Sequence, residues 1–151
     1  MFKFIQMAFD KIKTNKTPIE EEETLGMKSV VALFVEAASI DGIVAESEKK
    51  YILKILKEKF HLNIEDSTNL LEEAISASKD QIEIWSKTKN IRDEMEYEDR
   101  LKIIEMLWEI VLIDGVVDQF ESQLMRRITG LLYIKDIDSG IAKKNAIENT
   151  L

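Results

Sequence analysis

The residues best suited to do chemistry are the acids of a short motif that occurs twice. Residues 40–48 read IDGIVAESE, and residues 113–121 read IDGVVDQFE. Each copy has an Asp-Gly pair and a glutamate seven residues after the aspartate: Asp41 and Glu48, then Asp114 and Glu121. Carboxylate oxygens are the ligands that Ca²⁺, Mg²⁺ and Mn²⁺ prefer. The motif therefore predicts a candidate site for one of these divalent cations.

A single copy of the motif has too few ligands for such a site. Calcium takes about six to eight oxygens, and magnesium keeps several waters. The turn is not an EF-hand loop, because Ile43 and Ala45 stand where that loop needs acidic or amide side chains. Only convergence of both turns, with four carboxylates and main-chain carbonyls, would form a cage.

Helix capping is a competing explanation for the same residues. Gly115 can end a helix in the left-handed conformation, and Asp118 with Glu121 forms a capping box for the next helix. The first copy has Ala45 in place of the capping residue, yet it keeps Glu48. This mismatch indicates a role for the glutamate beyond capping.

The motif belongs to a longer internal duplication, in which residues 34–56 align with residues 107–129. The repeated unit is a helical hairpin, and we expect the two copies to pack around a pseudo-twofold axis. Two further acids, Glu36 and Glu109, occupy equivalent positions upstream of the turns. Glu109 ends a narrow polar stripe on an otherwise apolar helix. Two interpretations remain open: the stripes face water, or they converge and line a shared acidic pocket.

The periodicity of apolar residues predicts an all-α fold, a bundle of six to eight helices that includes the two pseudo-twofold-related hairpins. The first helix of each hairpin is nearly all apolar and is expected to be central and mostly buried. Capping signals set the helix starts, with Thr17-Pro18-Ile19-Glu20 before the first long helix and Asn63 with Asp66 before the third. Trp85, Trp108 and the methionines are expected in the core. The predicted helices span residues 18–40, 46–60, 64–78, 80–91, 96–115 and 118–132, with a last short helix from Asp138 through Ala142.

Size and composition favour one domain, over residues 17–151, preceded by an amphipathic helix and linker over residues 1–16. The chain has 151 residues and a net charge of −8, which argues against nucleic-acid binding. It has no cysteine, which excludes thiol nucleophiles and disulfides. His61 is the only histidine, no nucleophile pairs with it in a recognisable pattern, and no glycine-rich phosphate loop occurs. We therefore expect no enzymatic activity.

The first residues, MFKFIQMAFDKIK, place an apolar stripe among lysines. Two interpretations remain open. The helix packs on the domain or on a protein partner, or residues 1–13 attach reversibly to an anionic membrane surface. No apolar run reaches the ~20 residues of a membrane span, and no secretory signal is evident. We expect a cytoplasmic protein, with the inner face of the membrane as the alternative location.

Two segments, VALFVEAASIDGIVAESE and RLKIIEMLWEIVLIDGVVDQFE, resemble the tellurite-resistance TerB-like family, and the likeness covers residues 25–142. The resemblance implies an all-α fold with pseudo-symmetric hairpins, a bacterial role in stress responses to toxic oxyanions, and an acidic site for divalent cations. The positions that match are Asp41, Glu48, Asp114 and Glu121, with Glu36 and Glu109 upstream of the turns. Ala45 departs from the acidic residue frequent at its position, which removes one possible ligand.

Two functions follow from these observations. The first is a non-enzymatic module that binds a protein partner and carries a divalent-cation site at its two Asp-Gly turns. The second is a structural or adaptor domain without metal, held at a membrane surface by its N-terminal helix.

Overall fold

The computed structural model describes residues 18–39, 43–78, 84–113 and 119–150, and these residues form seven α-helices and no strand. The prediction of an all-α bundle of six to eight helices is confirmed. None of the described helices is long and apolar enough to cross a membrane. The helices are α1 (Pro18–Ala38), α2 (Glu46–Glu58), α3 (Ile64–Ser78), α4 (Ile84–Glu94), α5 (Tyr97–Val111), α6 (Gln119–Leu131) and α7 (Asp136–Thr150).

The first helices of the two hairpins, α1 and α5, form the centre of the core. They contact each other, and together they contact every other helix. Their apolar residues are nearly continuous because neighbours cover them on several sides. In α1 the side chains from Val30 to Val35 are fully buried except Ala32, and in α5 the burial runs from Met106 through Val111. Trp108 is buried as predicted, and its indole N–H donates to Ser139 Oγ at 3.4 Å.

Local signals set several helix starts as predicted. Asn63 Oδ1 accepts a hydrogen bond from the Asp66 backbone N–H at 2.7 Å, and α3 begins between them at Ile64. Pro18 is the first residue of α1. Ala45 precedes α2 without a side-chain cap, as its methyl group requires. Some predicted capping residues lie outside the described residues: Thr17 before α1, and Asp118, the partner of Glu121 in the second capping box. Residues 1–16 also lie outside them.

The last helix differs from the prediction of a short element starting at Asp138. The helix α7 runs for 15 residues and begins two residues earlier. Its buried face consists of small residues, which allow α7 to lie close against α5, so the apolar pattern of the sequence does not show this face. The buried residues are Ser139, Ala142 and Ala146, whereas Ile137 and Ile141 are 73% and 54% exposed.

The duplication extends beyond the hairpin to a third helix. The second helices, α2 and α6, both have 13 residues, and the third helices, α3 and α7, both have 15. Among the described residues two non-glycine residues have positive φ, His61 (57°) and Tyr133 (56°), and each lies between the second and third helix of its repeat. The molecule is therefore built from two three-helix repeats, α1–α3 and α5–α7, joined by α4.

The helix contacts match an approximate twofold axis. The helix α2 packs across on α5, and α6 packs across on α1; likewise α3 packs on α1, and α7 packs on α5. This reciprocity confirms the predicted pair of pseudo-symmetric hairpins. The connecting helix α4 breaks the symmetry, because it packs on α1 and α6 and has no counterpart on the second repeat within the described part of the chain.

Candidate functional site

Four of the six predicted site residues lie in described helices. Glu36 and Glu109 are in the last turns of α1 and α5, while Glu48 and Glu121 are in the first turns of α2 and α6. Asp41 and Asp114 lie outside the described residues. Within those residues no group of three or more His, Cys, Asp or Glu side chains is placed to hold a metal. The six-acid cation site therefore stays a prediction, since it depends on the two aspartates.

Glu109 is buried, with an exposed fraction of 1%, and both of its carboxylate oxygens accept hydrogen bonds. Tyr51 Oη of α2 donates to Oε2 at 3.0 Å, and Asn149 Nδ2 of α7 donates to Oε1 at 3.0 Å. Burial, together with the nearby Glu109 carboxylate, raises the pKa of the Tyr51 hydroxyl. The interpretation of a water-facing stripe is wrong at this position, because α2 and α7 cover Glu109.

The Tyr51–Glu109 hydrogen bond brings together two helix ends that flank the Asp-Gly motifs. Tyr51 is in the second turn of α2, which follows the first Asp-Gly turn, and Glu109 is in the last turn of α5, which precedes the second. With a rise of 1.5 Å per residue, each side chain is attached within about 8 Å of the helix end next to its turn. The helix ends that flank both turns therefore lie on one side of the molecule, which we call the turn end.

Glu36 has a different environment from its counterpart Glu109. The position equivalent to Tyr51 in the second repeat is Leu124, which has no hydroxyl to offer. The charged group nearby is instead Lys87, a buried side chain of α4. Burial lowers the pKa of Lys87, and the Glu36 carboxylate partly opposes this shift. The two repeats thus use the same glutamate position with a neutral partner in one case and a cationic one in the other.

The glutamates that follow the turns also differ in burial. Glu121 is only 3% exposed, whereas Glu48 is partly exposed at the start of α2. Both lie in the first turn of a helix, where the unpaired backbone N–H groups favour a negative charge. Two buried carboxylates, Glu109 and Glu121, therefore flank the second Asp-Gly turn.

A cavity of about 360 Å³ lies between α1, α3 and α4. Its walls are mostly apolar, and its polar lining includes Ser29, Lys87 and Asn90. Asn90 Nδ2 donates to Ser29 Oγ at 3.3 Å, and Lys28 forms an ion pair with Glu73 at 3.1 Å. At Ser29 the polar stripe of α1 therefore packs against α4 and does not face water. The sequence did not predict this contact.

The family model described as tellurite resistance protein TerB matches residues 27–144. The chain belongs to the TerB family. The match begins within α1, ends within α7 and includes both Asp-Gly turns, so all six predicted acids lie inside the TerB region. Comparison with the curated proteins gave no match, and comparison with the solved structures gave none either.

Arg100, part of the resemblance to TerB proteins, has a structural position in this TerB chain. Its Nη1 donates to the Leu132 carbonyl at 2.6 Å, and Arg92 Nη1 donates to the Leu131 carbonyl at 3.1 Å. Both arginines thus satisfy carbonyl groups at the C-terminal end of α6, where cations are favourable. This end of the helix is opposite to the turn end.

Three residues near the predicted acids were not predicted from the sequence. The sequence predicted none of Tyr51, Asn149 and Lys87 as the partner of an acid. Each meets its glutamate across a long sequence separation, so no local spacing rule could pair them. The TerB resemblance identified the acids but not the side chains that hold them.

Proposed function

We propose that this TerB protein is a non-enzymatic interaction module whose turn end binds one divalent cation, Ca²⁺, Mg²⁺ or Mn²⁺. The observation that carries the proposal is the Tyr51–Glu109 hydrogen bond at 3.0 Å. It supports a shared site because it joins the helix that follows one Asp-Gly turn to the helix that precedes the other. Turns at opposite ends of the bundle could not share an ion, since metal–oxygen distances are about 2.0–2.6 Å.

In this proposal the ligands come from both motifs. Asp41, Glu48, Asp114 and Glu121 supply carboxylates, and main-chain carbonyls of the turns complete the about six to eight oxygens that calcium takes. Glu109 supports the site without binding the ion, because both of its oxygens already accept hydrogen bonds. Such outer interactions orient ligands and tune affinity in metal sites generally.

The proposed partner is a protein that docks beside the turns. Ile43 follows the first Asp-Gly turn and is 71% exposed, although its neighbour Val44 is buried. In this proposal Ile43 is the apolar side chain that contacts the partner. A bound cation would neutralise repulsion among the acids and hold Ile43 in one position. We infer that the ion controls docking in this way.

The family description, tellurite resistance, supports a response to that toxic oxyanion as the setting. We further propose that the module acts in the bacterial cytoplasm. The test of the cation site is thermal unfolding with and without millimolar Ca²⁺, Mg²⁺ or Mn²⁺. An ion at about 100 times its Kd stabilises the folded chain by about 2.7 kcal/mol, which raises the Tm by roughly 5–10 °C at this size. Asp41→Asn combined with Asp114→Asn should abolish the rise.

A matched control removes two carboxylates at the other end of the molecule. Asp93 and Glu96 are exposed, and Arg92 beside them contacts the far end of α6. Asp93→Asn with Glu96→Gln should leave the rise intact. A Tm that no ion changes, or a rise lost equally in the control, would contradict the proposal.

A further inference from the structure

The first half of α5 and the first half of α7 form a shallow groove, which we call the α5–α7 groove. It has a volume of about 130 Å³. Leu101, Ile141 and Ala142 are its apolar lining, and Glu105 and Asp138 contribute carboxylates. The groove therefore combines apolar side chains with two carboxylates, one lysine (Lys102) and one asparagine (Asn145).

The α5–α7 groove is the repeat-two equivalent of the cavity between α1 and α3. Its α5 residues Leu101, Lys102 and Glu105 correspond to Lys28, Ser29 and Ala32 of α1, and its α7 residues Ala142 and Asn145 correspond to Leu70 and Glu73 of α3. In repeat one, α4 supplies the third wall of the cavity. In repeat two no helix among the described residues takes the place of α4.

The sequence of α7 shows that its uncovered surface is adapted for contact. Ile137 is 73% exposed and Ile141 is 54% exposed. The equivalent positions of α3 are Glu65 and Asn69, which are polar as a solvent-facing helix surface requires. Because two exposed isoleucines lie one helical turn apart beside an apolar groove, they indicate a contact surface, which a single exposed apolar residue would not.

We propose that residues 1–16 of the same chain dock in the α5–α7 groove and take there the place that α4 has in repeat one. The segment has an apolar stripe that includes Phe4, Ile5 and Phe9. Its charges are complementary to the groove. The segment has four lysines against one aspartate, and the groove is lined by the carboxylates of Glu105 and Asp138 against the single cation of Lys102.

The connectivity allows this docking. Both α1 and α5 end at the turn end, so both begin at the opposite end of the molecule. Residues 1–16 join the domain at Pro18, the first residue of α1, and the groove lies along the first half of α5. The segment therefore meets the domain at the end where the groove is open, away from the proposed cation site.

Thiol labelling tests the docking directly, because the chain has no cysteine and an introduced one is the sole thiol. The thiol of Ile141→Cys measures how accessible the α5–α7 groove is, and the thiol of Asn69→Cys measures the accessibility of the equivalent surface of repeat one. Each is made in the full-length wild-type chain and in the full-length Phe4→Asp, Phe9→Asp chain, whose apolar stripe is disrupted. The rate of reaction with a maleimide is measured in all four proteins.

A docked state populated about ten to one should slow labelling of Ile141→Cys about tenfold in the wild-type background relative to the disrupted one. Asn69→Cys should react at the same rate in both backgrounds. Equal rates at Ile141→Cys in the two backgrounds would overturn the proposal. So would protection that grows with protein concentration, which indicates a second copy, or protection that requires anionic vesicles, which indicates a membrane.

Discussion

The hydrogen bond between Tyr51 and Glu109 joins α2 to α5 at the turn end, and Tyr51→Phe removes only its donor. The Glu109 carboxylate is 1% exposed, so water cannot replace the lost hydroxyl without opening the core. A hydrogen bond to a charged group contributes about 1.5–3 kcal/mol, and we expect Tyr51→Phe to lower the free energy of unfolding by about 2 kcal/mol. For a chain of this size the Tm should fall by roughly 4–8 °C.

The effect should depend on pH in a defined direction. The pKa of Tyr51 is raised in the folded protein from the ordinary value of 10.0, by burial and by Glu109. The folded state therefore holds the phenol proton more tightly than the unfolded chain does. The contribution of Tyr51 is complete below about pH 10 and is lost as the pH rises toward the folded-state pKa. The stability difference between wild type and Tyr51→Phe should be constant near neutrality and narrow in alkaline solution.

Urea unfolding followed by helical circular dichroism measures both effects, at pH 7 and over an alkaline series. The matched control is Tyr133→Phe, since the Tyr133 side chain is 66% exposed and its change should stay within about 0.5 kcal/mol. In a double-mutant cycle, Tyr51→Phe should cost less when Glu109→Gln has already removed the charge. The reasoning is refuted if Tyr51→Phe is no more destabilising than Tyr133→Phe.

Two further substitutions test other parts of the structure. Asn63→Ala removes the N-cap of α3 and should cost about 1 kcal/mol, measured by thermal unfolding, whereas an unchanged Tm would show that the cap does not contribute. Lys87→Met should raise the free energy of unfolding at pH 7 by about 1 kcal/mol, because a buried ammonium is replaced by an apolar chain of similar volume. The pKa of Lys87 is lowered in the folded state, so the stability of the wild type rises with pH up to the ordinary pKa of 10.5, and the advantage of Lys87→Met should shrink over that range. Urea unfolding at pH 7 and pH 10 measures this change. A variant less stable than the wild type at pH 7 would contradict the prediction.

The fold was predictable where the signal is local or continuous. Asn63 with Asp66 marks the start of α3 within four residues of chain, and the capping geometry confirms it. The long apolar runs of α1 and α5 indicated central helices because no other position in a bundle buries so many sides. The hairpin repeat was visible because the second helices keep the same length and register.

The third helices were harder to predict for a physical reason. Across the turn before α7 the second repeat has one residue fewer, as two backbone hydrogen bonds show: Leu62 N–H donates to the Leu56 carbonyl, whereas Ile134 N–H donates to the Thr129 carbonyl. The register therefore shifts, and the aligned pairs stop matching. The core contacts of α7 use small residues such as Ala142, so its most apolar residues indicate the wrong face.

The candidate site was predictable in its acids but not in their surroundings. The internal duplication of residues 34–56 and 107–129 located all six carboxylates, while Tyr51 and Asn149 lie 58 and 40 residues from Glu109. Only the packing of α2 and α7 against α5 brings them together. A sequence pattern indicates which side chains can bind a cation, and tertiary packing decides which are occupied with other partners.

Nuclear magnetic resonance of the ¹⁵N-labelled chain during titration with Mn²⁺ tests the shared cation site most directly. Mn²⁺ broadens amide signals close to it, and Gly42 and Gly115 report the two Asp-Gly turns separately. A shared ion predicts that both signals broaden together at low Mn²⁺ and that Asp41→Asn alone removes the broadening from both. Broadening at only one turn, at neither, or at Gly115 unaffected by Asp41→Asn would contradict it.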